Sequence, residues 1–541
     1  MTQAFLRLPP FPGQRGRALS QPGRSIIRAD AVLDALRREQ VGGSFWAAPV
    51  DLVPGCALVL VPDDADQLTA MMRAAQGEAF TVSLPPGLPR PQGAAMLPRS
   101  FDPWHVARQA SAVWAGSQTE LATVAALLGK PVRLFAKDGT DEAPDPAARL
   151  IEALLRDLSA QAWTSPFTGA GWTIDQTITQ LGEWRRLIEG NRAFRAIFGV
   201  ARWKRVTLDP LLWDGTGPVR HARRIPADLG PGAQVLAWQA RTAPAVLAEL
   251  RARQVEIAEL EDGFIRSVGL GANCVPPLSV IVDRSGIYFD PAGPSDLENL
   301  LEQADLPASW LERAAALRAA LVQQGISKYG QGNGPATPTA RPGRTVLVTG
   351  QVEDDRSVLS GGNGCTNLDL IIRARRIEPD ARIVYKPHPD VEAGHRRGHV
   401  PDAIALEHAD AIERHGAITA LLDQADALHV ITSLAGFEAL LRGKPVTTHG
   451  QPFYAGWGLT RDLAPPNPRR TRRRSLDELV AATLIGYPRY VDPVTRLPCP
   501  PEVVVARIAA GQARVTSPLV ALREWQGRLR RWGQQWRGSR R

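Results

Sequence analysis

Between residues 344 and 457, short β-branched apolar runs alternate with segments of helical periodicity, and each run gives way to polar residues. The pattern predicts a strand at Thr345-Val346-Leu347-Val348, a polar turn at Gly350-Gln351-Val352-Glu353-Asp354-Asp355, a helix from Asn367 to Arg376, and a strand at Arg382-Ile383-Val384-Tyr385 running into Lys386-Pro387-His388-Pro389. A strand from Ala427 to Ile431, the turn Thr432-Ser433, a helix from Leu434 to Leu441 and Gly443-Lys444-Pro445-Val446 follow. Strands alternating with helices build parallel β-α-β units. In such sheets ligands collect at the carboxyl ends of the strands. Every strand here ends in residues capable of chemistry, so this stretch is the expected active region.

Similar blocks precede it. Runs at Val235-Leu236-Ala237-Trp238, Ile257-Ala258-Glu259-Leu260 and Ser279-Val280-Ile281-Val282, with helical segments between, predict another Rossmann-like half. The Gly- and Pro-rich residues 327–344 read as the connection between the two halves, and the cleft between them as the place of reaction. Nearer the N-terminus, Val61-Pro62-Asp63-Asp64 lies over Val348 to Asp355, and Ser83-Leu84-Pro85-Pro86 over Tyr385-Lys386-Pro387-His388. Likewise Ala125 to Val132 lies over Ala439 to Val446, both copies containing Gly-Lys-Pro-Val. The first copy lacks the histidine and has Val124 where the second has Glu438, as in a duplicated module that kept its fold and lost its chemistry. The expected class is therefore α/β. Its parts are a flexible leader (1–29), a degenerate Rossmann-like half-module (30–145), a helical connector (146–202) with one helix running from Ile174 to Phe198, two Rossmann-like halves (203–335 and 336–460), C-terminal helices (461–515) and a basic tail (516–541).

Composition narrows this little. At 541 residues the chain exceeds one core. No secretory apolar segment is seen near the N-terminus and no run is long enough to span a membrane, so a cytoplasmic protein is expected. Cys56, Cys274, Cys365 and Cys499 show no metal-binding or disulfide spacing. The net charge of +9 gathers in two places: Arg469 to Arg474, and the last nineteen residues, which hold seven Arg, one Glu and the three indoles Trp525, Trp532 and Trp536. Arg interleaved with Trp suits an anionic membrane surface; a solvated tail packed on its own domain is the plain alternative, and nucleic acid is not expected as a partner.

Glu261-Asp262-Gly263-Phe264-Ile265-Arg266 and Glu353-Asp354-Asp355 each follow a strand, so carboxylates from two halves can face one cleft. Glycosyl transfer with retention uses such groups as nucleophile and acid/base, although isolated acidic loops are mostly solvated. Arg266 can hold Glu261 or Asp262 ionised. Lys386 and His388, in a turn stiffened by proline, can bind phosphate. Thr432 and Ser433 start a helix, where hydroxyls and free N–H groups receive anions or simply cap the helix. Glu438 can accept ribose hydroxyls or favour the helix dipole. The loop Gln451-Pro452-Phe453-Tyr454-Ala455-Gly456-Trp457-Gly458 suits sugar stacking or an interdomain corner.

Taken together, Glu261 to Ser267, Gly350 to Asp355, Lys386 to Pro389, Ser433 to Leu440 and Pro452 to Gly458 resemble the bacterial capsular polysaccharide β-Kdo transferases, the KpsC-like family. The similarity runs on through Asp477-Glu478-Leu479 and Tyr487 to Pro493. It implies a GT-B fold, CMP-β-Kdo as donor on the side of 336–460, an acceptor ending in Kdo (3-deoxy-D-manno-octulosonic acid) on a phosphatidylglycerol-type lipid, and retention of configuration at the cytoplasmic face of the inner membrane. Other capsule assembly proteins would be its partners. By motif position Asp355 is the expected nucleophile, with Asp354 second, and Glu261 or Asp262 the acid/base. His388 and Lys386 would meet the donor phosphate or the sugar carboxylate, Ser433 and Glu438 the nucleotide, and Gln351, Thr432, Arg266 and Tyr454 complete the binding set. No cofactor or metal is needed by this scheme. One active module is expected. A non-catalytic capsule assembly or export factor, or a GT-B transferase using another nucleotide sugar, is the alternative.

Overall fold

The computed structural model describes residues 4–14, 19–136, 144–267, 274–328, 330–331, 343–394 and 396–513. The chain folds as two compact units. The first comprises residues 1–193, 209–219 and 495–497, and the second residues 194–208, 220–494 and 498–541.

The first unit holds β1 (Ser20–Pro22), β2 (Leu58–Val61), β3 (Phe80–Val82), β4 (Ala95–Met96), β5 (Ala112–Ala115), β6 (Val132–Leu134) and β7 (Gln161–Trp163). β2 to β6 form a five-stranded parallel sheet in the order β4-β3-β2-β5-β6, and β1 pairs antiparallel with β7. Leu58, Leu60, Leu68, Met71, Val82, Trp114 and Phe135 form its core. Leu58 and Leu60 share a face of β2, the period-2 arrangement of a strand.

In the second unit, β8 (Phe194–Phe198), β9 (Gln234–Ala237), β10 (Glu256–Asp262) and β11 (Ser279–Asp283) join a C-terminal pair of strands in one sheet. The short hairpin β12 (Ile326–Ser327) and β13 (Gly330–Gln331) follows. Next come β14 (Thr345–Thr349), β15 (Arg382–Lys386), β16 (Ala411–Ile412), β17 (Ala427–Val430), β18 (Val446–Thr448) and β19 (Arg461–Asp462), an all-parallel sheet in the order β16-β15-β14-β17-β18-β19. Finally β20 (Pro488–Val491) and β21 (Pro498–Cys499) return to the earlier sheet, whose order is β21-β20-β11-β10-β9-β8. That sheet is mixed: β8, β9 and β10 are parallel, while β11, β20 and β21 run antiparallel to their neighbours.

Three expectations change here. Phe194 to Phe198 is the edge strand β8 rather than the end of a helix, which stops at Asn191. Phe194, Ala196, Ile197 and Phe198 are all buried, and the burial is what makes the short apolar run a strand. The first half is not confined to residues 203–335, since it takes β8 from before and β20 and β21 from after that span. The cluster Arg469 to Arg474 is not a free basic patch. Arg469 and Arg470 share Glu298 at 2.5 and 2.9 Å, Arg472 meets Asp305 at 2.9 Å and Arg474 meets Glu478 at 2.7 Å. Arg470 and Arg474 also donate to the carbonyls of Pro452, Ala455, Leu301 and Ala304. The guanidiniums fasten a returning segment onto the helix Asp296–Gln303 and the 452–455 loop.

The Trp-bearing tail lies outside the described residues. Among those described, no helix is long and apolar enough to cross a membrane.

The five parallel strands of the first unit and the first five of the all-parallel sheet follow the same order: third, second, first, fourth, fifth in chain sequence. The turn into the last strand also matches. Gly129 and Gly443 both sit at φ +69°, where side chains are rarely tolerated. The amides of Lys130 and Lys444 donate to Ala125 and Ala439, and their ammonium groups to the carbonyls of Ala110 and Asp423.

Candidate active site

The carboxyl end of β10 carries the first group. Glu259 and Glu261 lie two residues apart, on one face of the strand. Glu259 is buried, and Arg356 grips it with both terminal nitrogens, Nη2 at 3.3 Å. Glu261 accepts the amide N–H of Asp262 at 2.9 Å. Asp262 accepts from Arg266 Nε at 2.7 Å and Lys204 Nζ at 3.4 Å. The Lys204 ammonium also rests 3.1 Å from the centroid of the Trp238 ring. Burial pushes Lys204 down to about 8 although Asp262 opposes the shift.

Neighbouring carboxyls are thus driven apart. Burial, then the charge of Asp262, pushes Glu261 up. Burial would raise Asp262 too, but Lys204 and Arg266 overcome it and leave Asp262 below its ordinary value. Gly263 makes the turn possible, since a Cβ there would lie 2.2 Å from Ser279 Oγ.

The ends of β14, β15 and β17 carry the second group. Asp355 begins the helix Arg356–Gly361, its Oδ1 accepting from Ser357 N at 3.0 Å and Ser357 Oγ at 2.7 Å. Asp354 is exposed and paired with Arg396 at 3.1 Å. Lys386 is buried and its ammonium makes no hydrogen bond or ion pair with any described residue; burial lowers its pKa, with Glu413 opposing. His388 caps the short helix Pro389–Glu392, its Nδ1 accepting from Asp390 N at 3.2 Å, and burial lowers it. Ser433 caps the helix Leu434–Leu441 through Ala435 N at 3.2 Å.

Several residues of the expected binding set are hydrogen-bonded within the protein. Both ends of the Gln351 amide are taken by Thr432, whose Oγ1 accepts at 3.1 Å and whose N–H donates at 2.8 Å, so this pair locks β14 to β17. Tyr454 is fully buried and donates to the Ser433 carbonyl at 2.5 Å. Arg266, 2% exposed, is committed to Asp262 and, at 2.8 Å, Ser267 Oγ. Glu438 is buried and accepts the Lys328 N–H at 3.3 Å; burial pushes it up to about 7. Gln351, Tyr454 and Arg266 thus have their polar groups engaged within the protein, and Glu438 is buried with one such bond.

Residues of both sheets converge. Arg356, adjacent to Asp355, reaches Glu259 of β10. The Tyr288 hydroxyl lies in the field of Lys328, Glu261, Asp355 and Asp262, and His388 in that of Asp390 and Asp355. Lys328 joins the sheets through its backbone, donating to Glu438 and accepting from Arg266 N at 3.0 Å. Lys204, Tyr288, Lys328 and Arg356 are absent from the set read in the sequence. Their signal is weak: Lys204 and Asp262 are 58 positions apart, and Lys328 sits in what reads as a linker.

The model of the family described as capsule polysaccharide biosynthesis protein matches residues 233–331 and 313–490, a span containing both carboxylate groups, Lys386 and His388. A KpsC β-Kdo 2,4 transferase structure from Thermosulfurimonas dismutans is 32% identical, with a TM-score of 0.51, and the match covers 58% of this chain and 98% of that one. The chain belongs to the KpsC-like capsule polysaccharide family. Among other members of this similarity group, the capsule polysaccharide modification protein LipA of Neisseria meningitidis serogroup B is 39% identical over 343 residues, 62% of this chain and 48% of LipA. The lipopolysaccharide-processing protein LpsZ of Rhizobium meliloti is 45% identical over 241 residues, 44% of this chain and 54% of LpsZ. The chain thus spans about half the length of these curated relatives. The parallel sheet of residues 58–134 lies outside the KpsC-like family match.

Proposed function

We propose that this chain is a retaining β-Kdo glycosyltransferase of capsular polysaccharide synthesis, moving Kdo from CMP-β-Kdo to a Kdo-terminated glycolipid. The observation that carries the reading is the pair of adjacent carboxyls on β10 with opposed environments, Glu261 raised and Asp262 lowered, in the field of one tyrosine with Asp355 of the other sheet. Titratable neighbours pushed apart mark acid/base assignments. The likeness to a KpsC β-Kdo transferase supports the sugar.

In this reading Asp355 attacks the anomeric carbon and CMP departs, giving a glycosyl-enzyme ester. The acceptor hydroxyl then attacks that carbon while Glu261 takes its proton, and Asp355 is released; two inversions retain the β configuration. Glu261 serves well because a carboxyl held above its ordinary range is a stronger base near neutral pH. Asp355 is favoured over Asp354 because Asp354 is engaged by Arg396, although both are exposed. Lys386, whose buried ammonium makes no hydrogen bond or ion pair with any described residue, and His388 meet the departing phosphate, aided by the N-terminus of the helix capped by Ser433.

The two sheets of the second unit are the halves of a GT-B plan, and the sheet of the first unit is a decayed copy of the donor half. Shared strand order and the matched Gly129 and Gly443 turns support the copy. By strand register, Ser83 and Pro85 stand where the donor half has Lys386 and His388. The acceptor lipid fits a peripheral position at the inner membrane, with other capsule proteins nearby. The test is incubation of the full chain with a synthetic Kdo-terminated lipid and CMP-Kdo generated in situ, read by mass spectrometry. A gain of one Kdo supports a single active module. No transfer by a folded protein that still binds CMP overturns the reading in favour of an assembly factor.

A further inference from the structure

The outer edge of the mixed sheet carries charge of one sign. Residues 194–208 and 220–241 of the second unit hold eight Lys or Arg against one acidic residue, Asp228. Six of the eight, Arg195, Arg202, Arg220, Arg223, Arg224 and Arg241, are exposed, and none makes a side-chain hydrogen bond or ion pair with any described residue. Arginines elsewhere in the unit, Arg344, Arg375, Arg414 and Arg442 among them, each hold a carboxylate.

Local structure turns the six outward. The register of β8 on β9 shifts between Phe194 and Ala196, so Arg195 is the extra residue of a bulge and is left to solvent. On the other side of β8, Ile197 donates to the Arg220 carbonyl and accepts from Ala222 N, both at 2.9 Å, which lays residues 220–222 along the strand. Ala222 and Ile225 pack on the core of Ala196, Phe198 and Val235, leaving Arg223 and Arg224 outside. Past the end of β8, a Cβ on Gly199 would stand 2.6 Å from the Trp238 carbonyl oxygen and 3.2 Å from the carbonyl carbon of Arg241. The turn leading to Arg202 therefore abuts the one that bears Arg241. Apolar groups lie among these charges: Val206 is 45% exposed and Trp203 half-buried.

Charges guard a sheet edge against pairing with another chain. Such a guard works with either sign, and does not call for six cations without a counter-charge. Like charges gathered this way repel one another, and a surface that presents many negative groups relieves them. Arginine beside exposed valine and tryptophan suits the headgroup layer of an anionic bilayer, where guanidinium meets phosphate and apolar groups enter the interface.

We propose that this edge is the surface by which the second unit docks on an anionic lipid bilayer. The choice of a bilayer over other polyanions rests on the glycolipid acceptor of the transferase reading above.

The test is flotation of the full chain with vesicles of phosphatidylcholine alone or with phosphatidylglycerol added, at low and high salt. The wild type is compared with an edge variant (Arg220→Ser, Arg223→Ser, Arg224→Ser) and a tail variant (Arg528→Ser, Arg530→Ser, Arg531→Ser), and thermal melting checks that all three fold. An arginine near an anionic surface is worth about fivefold in binding, so the edge variant is expected to bind anionic vesicles about a hundredfold more weakly. Wild-type binding should fall as salt rises. The edge variant should transfer Kdo to a short soluble acceptor at the wild-type rate and lose rate only on an acceptor lipid embedded in the vesicles. An edge variant that binds anionic vesicles as the wild type does overturns the surface, whatever the tail variant does. So does a wild-type chain that is held by soluble polyphosphate but floats with neither vesicle. A chain that docks through this edge and transfers Kdo to neither acceptor overturns the transferase reading and leaves the surface standing.

Discussion

Arg356 and Glu259 form a two-pronged ion pair between the helix that follows β14 and the middle of β10. Each stands beside a reacting group: Arg356 next to Asp355, and Glu259 two residues before Glu261 on the same face of the strand. The pair therefore sets the spacing of the proposed nucleophile and base. Arg356→Met leaves the Glu259 carboxylate buried and alone, which costs about 2 kcal/mol once the 37% exposure of the arginine side chain is allowed for. Turnover should fall about 10- to 100-fold, because misplacement on the order of 1 Å is enough. CMP affinity should hold. Adding Glu259→Gln should restore stability but not rate, as urea melts and steady-state kinetics will show.

Asp355→Asn should abolish turnover, a loss on the order of a thousandfold or more, and Glu261→Gln should lower it about 100- to 10,000-fold. Asp354→Asn removes only an exposed pair with Arg396 and should stay within about threefold. If Asp354→Asn is the inactive protein and Asp355→Asn turns over normally, the nucleophile is misassigned.

Stability should pass through a maximum with pH. Burial raises Glu438 from 4.5 to about 7, so the folded chain keeps a proton the unfolded chain has lost. This contribution is full below about 4.5 and lost as pH rises through 7, roughly 3 kcal/mol at most. His429 and His449, 3.0 Å apart and fully buried, act in the other direction. Burial lowers them from 6.5 to about 4 and about 3, so stability is present above 6.5 and lost as pH falls toward 3. Urea midpoints between about pH 4 and 8.5 will trace both limbs, and Glu438→Gln should flatten the alkaline one alone.

At Gly436 a Cβ would stand 2.1 Å from the Tyr454 hydroxyl. Gly436→Ala should push the phenol off the Ser433 carbonyl, cost about 1–3 kcal/mol and weaken CMP binding by shifting the helix N-terminus. Tyr454→Phe, which loses only the hydrogen bond, should cost about 1 kcal/mol. Calorimetry of CMP binding separates the two: equal affinities in both variants would mean that the helix start does not touch the nucleotide.

Much of this was legible in the chain. Alternating β-branched runs and helical periodicity sufficed for β14, β15 and β17, whose apolar runs are buried, but not for the short strands β16 and β18. The carboxylates, Lys386 and His388 could be named because strand ends in parallel sheets are where ligands gather. What tertiary structure alone decided is which polar residues are free to act. Gln351, Tyr454 and Arg266 stand out in the sequence as polar residues near strand ends, and only packing shows the internal hydrogen bonds they make. Phe194 to Phe198 continues a helical pattern, yet pairing with β9 makes it a strand. Lys204, Tyr288, Lys328 and Arg356 carry no local signal, because charge acts through distance in space, and their partners lie tens of residues or more away along the chain. Local periodicity and strand-end chemistry thus determined the elements and the neighbourhood of the site. The folding of distant segments into one dielectric decided the protonation and commitment of every group in it.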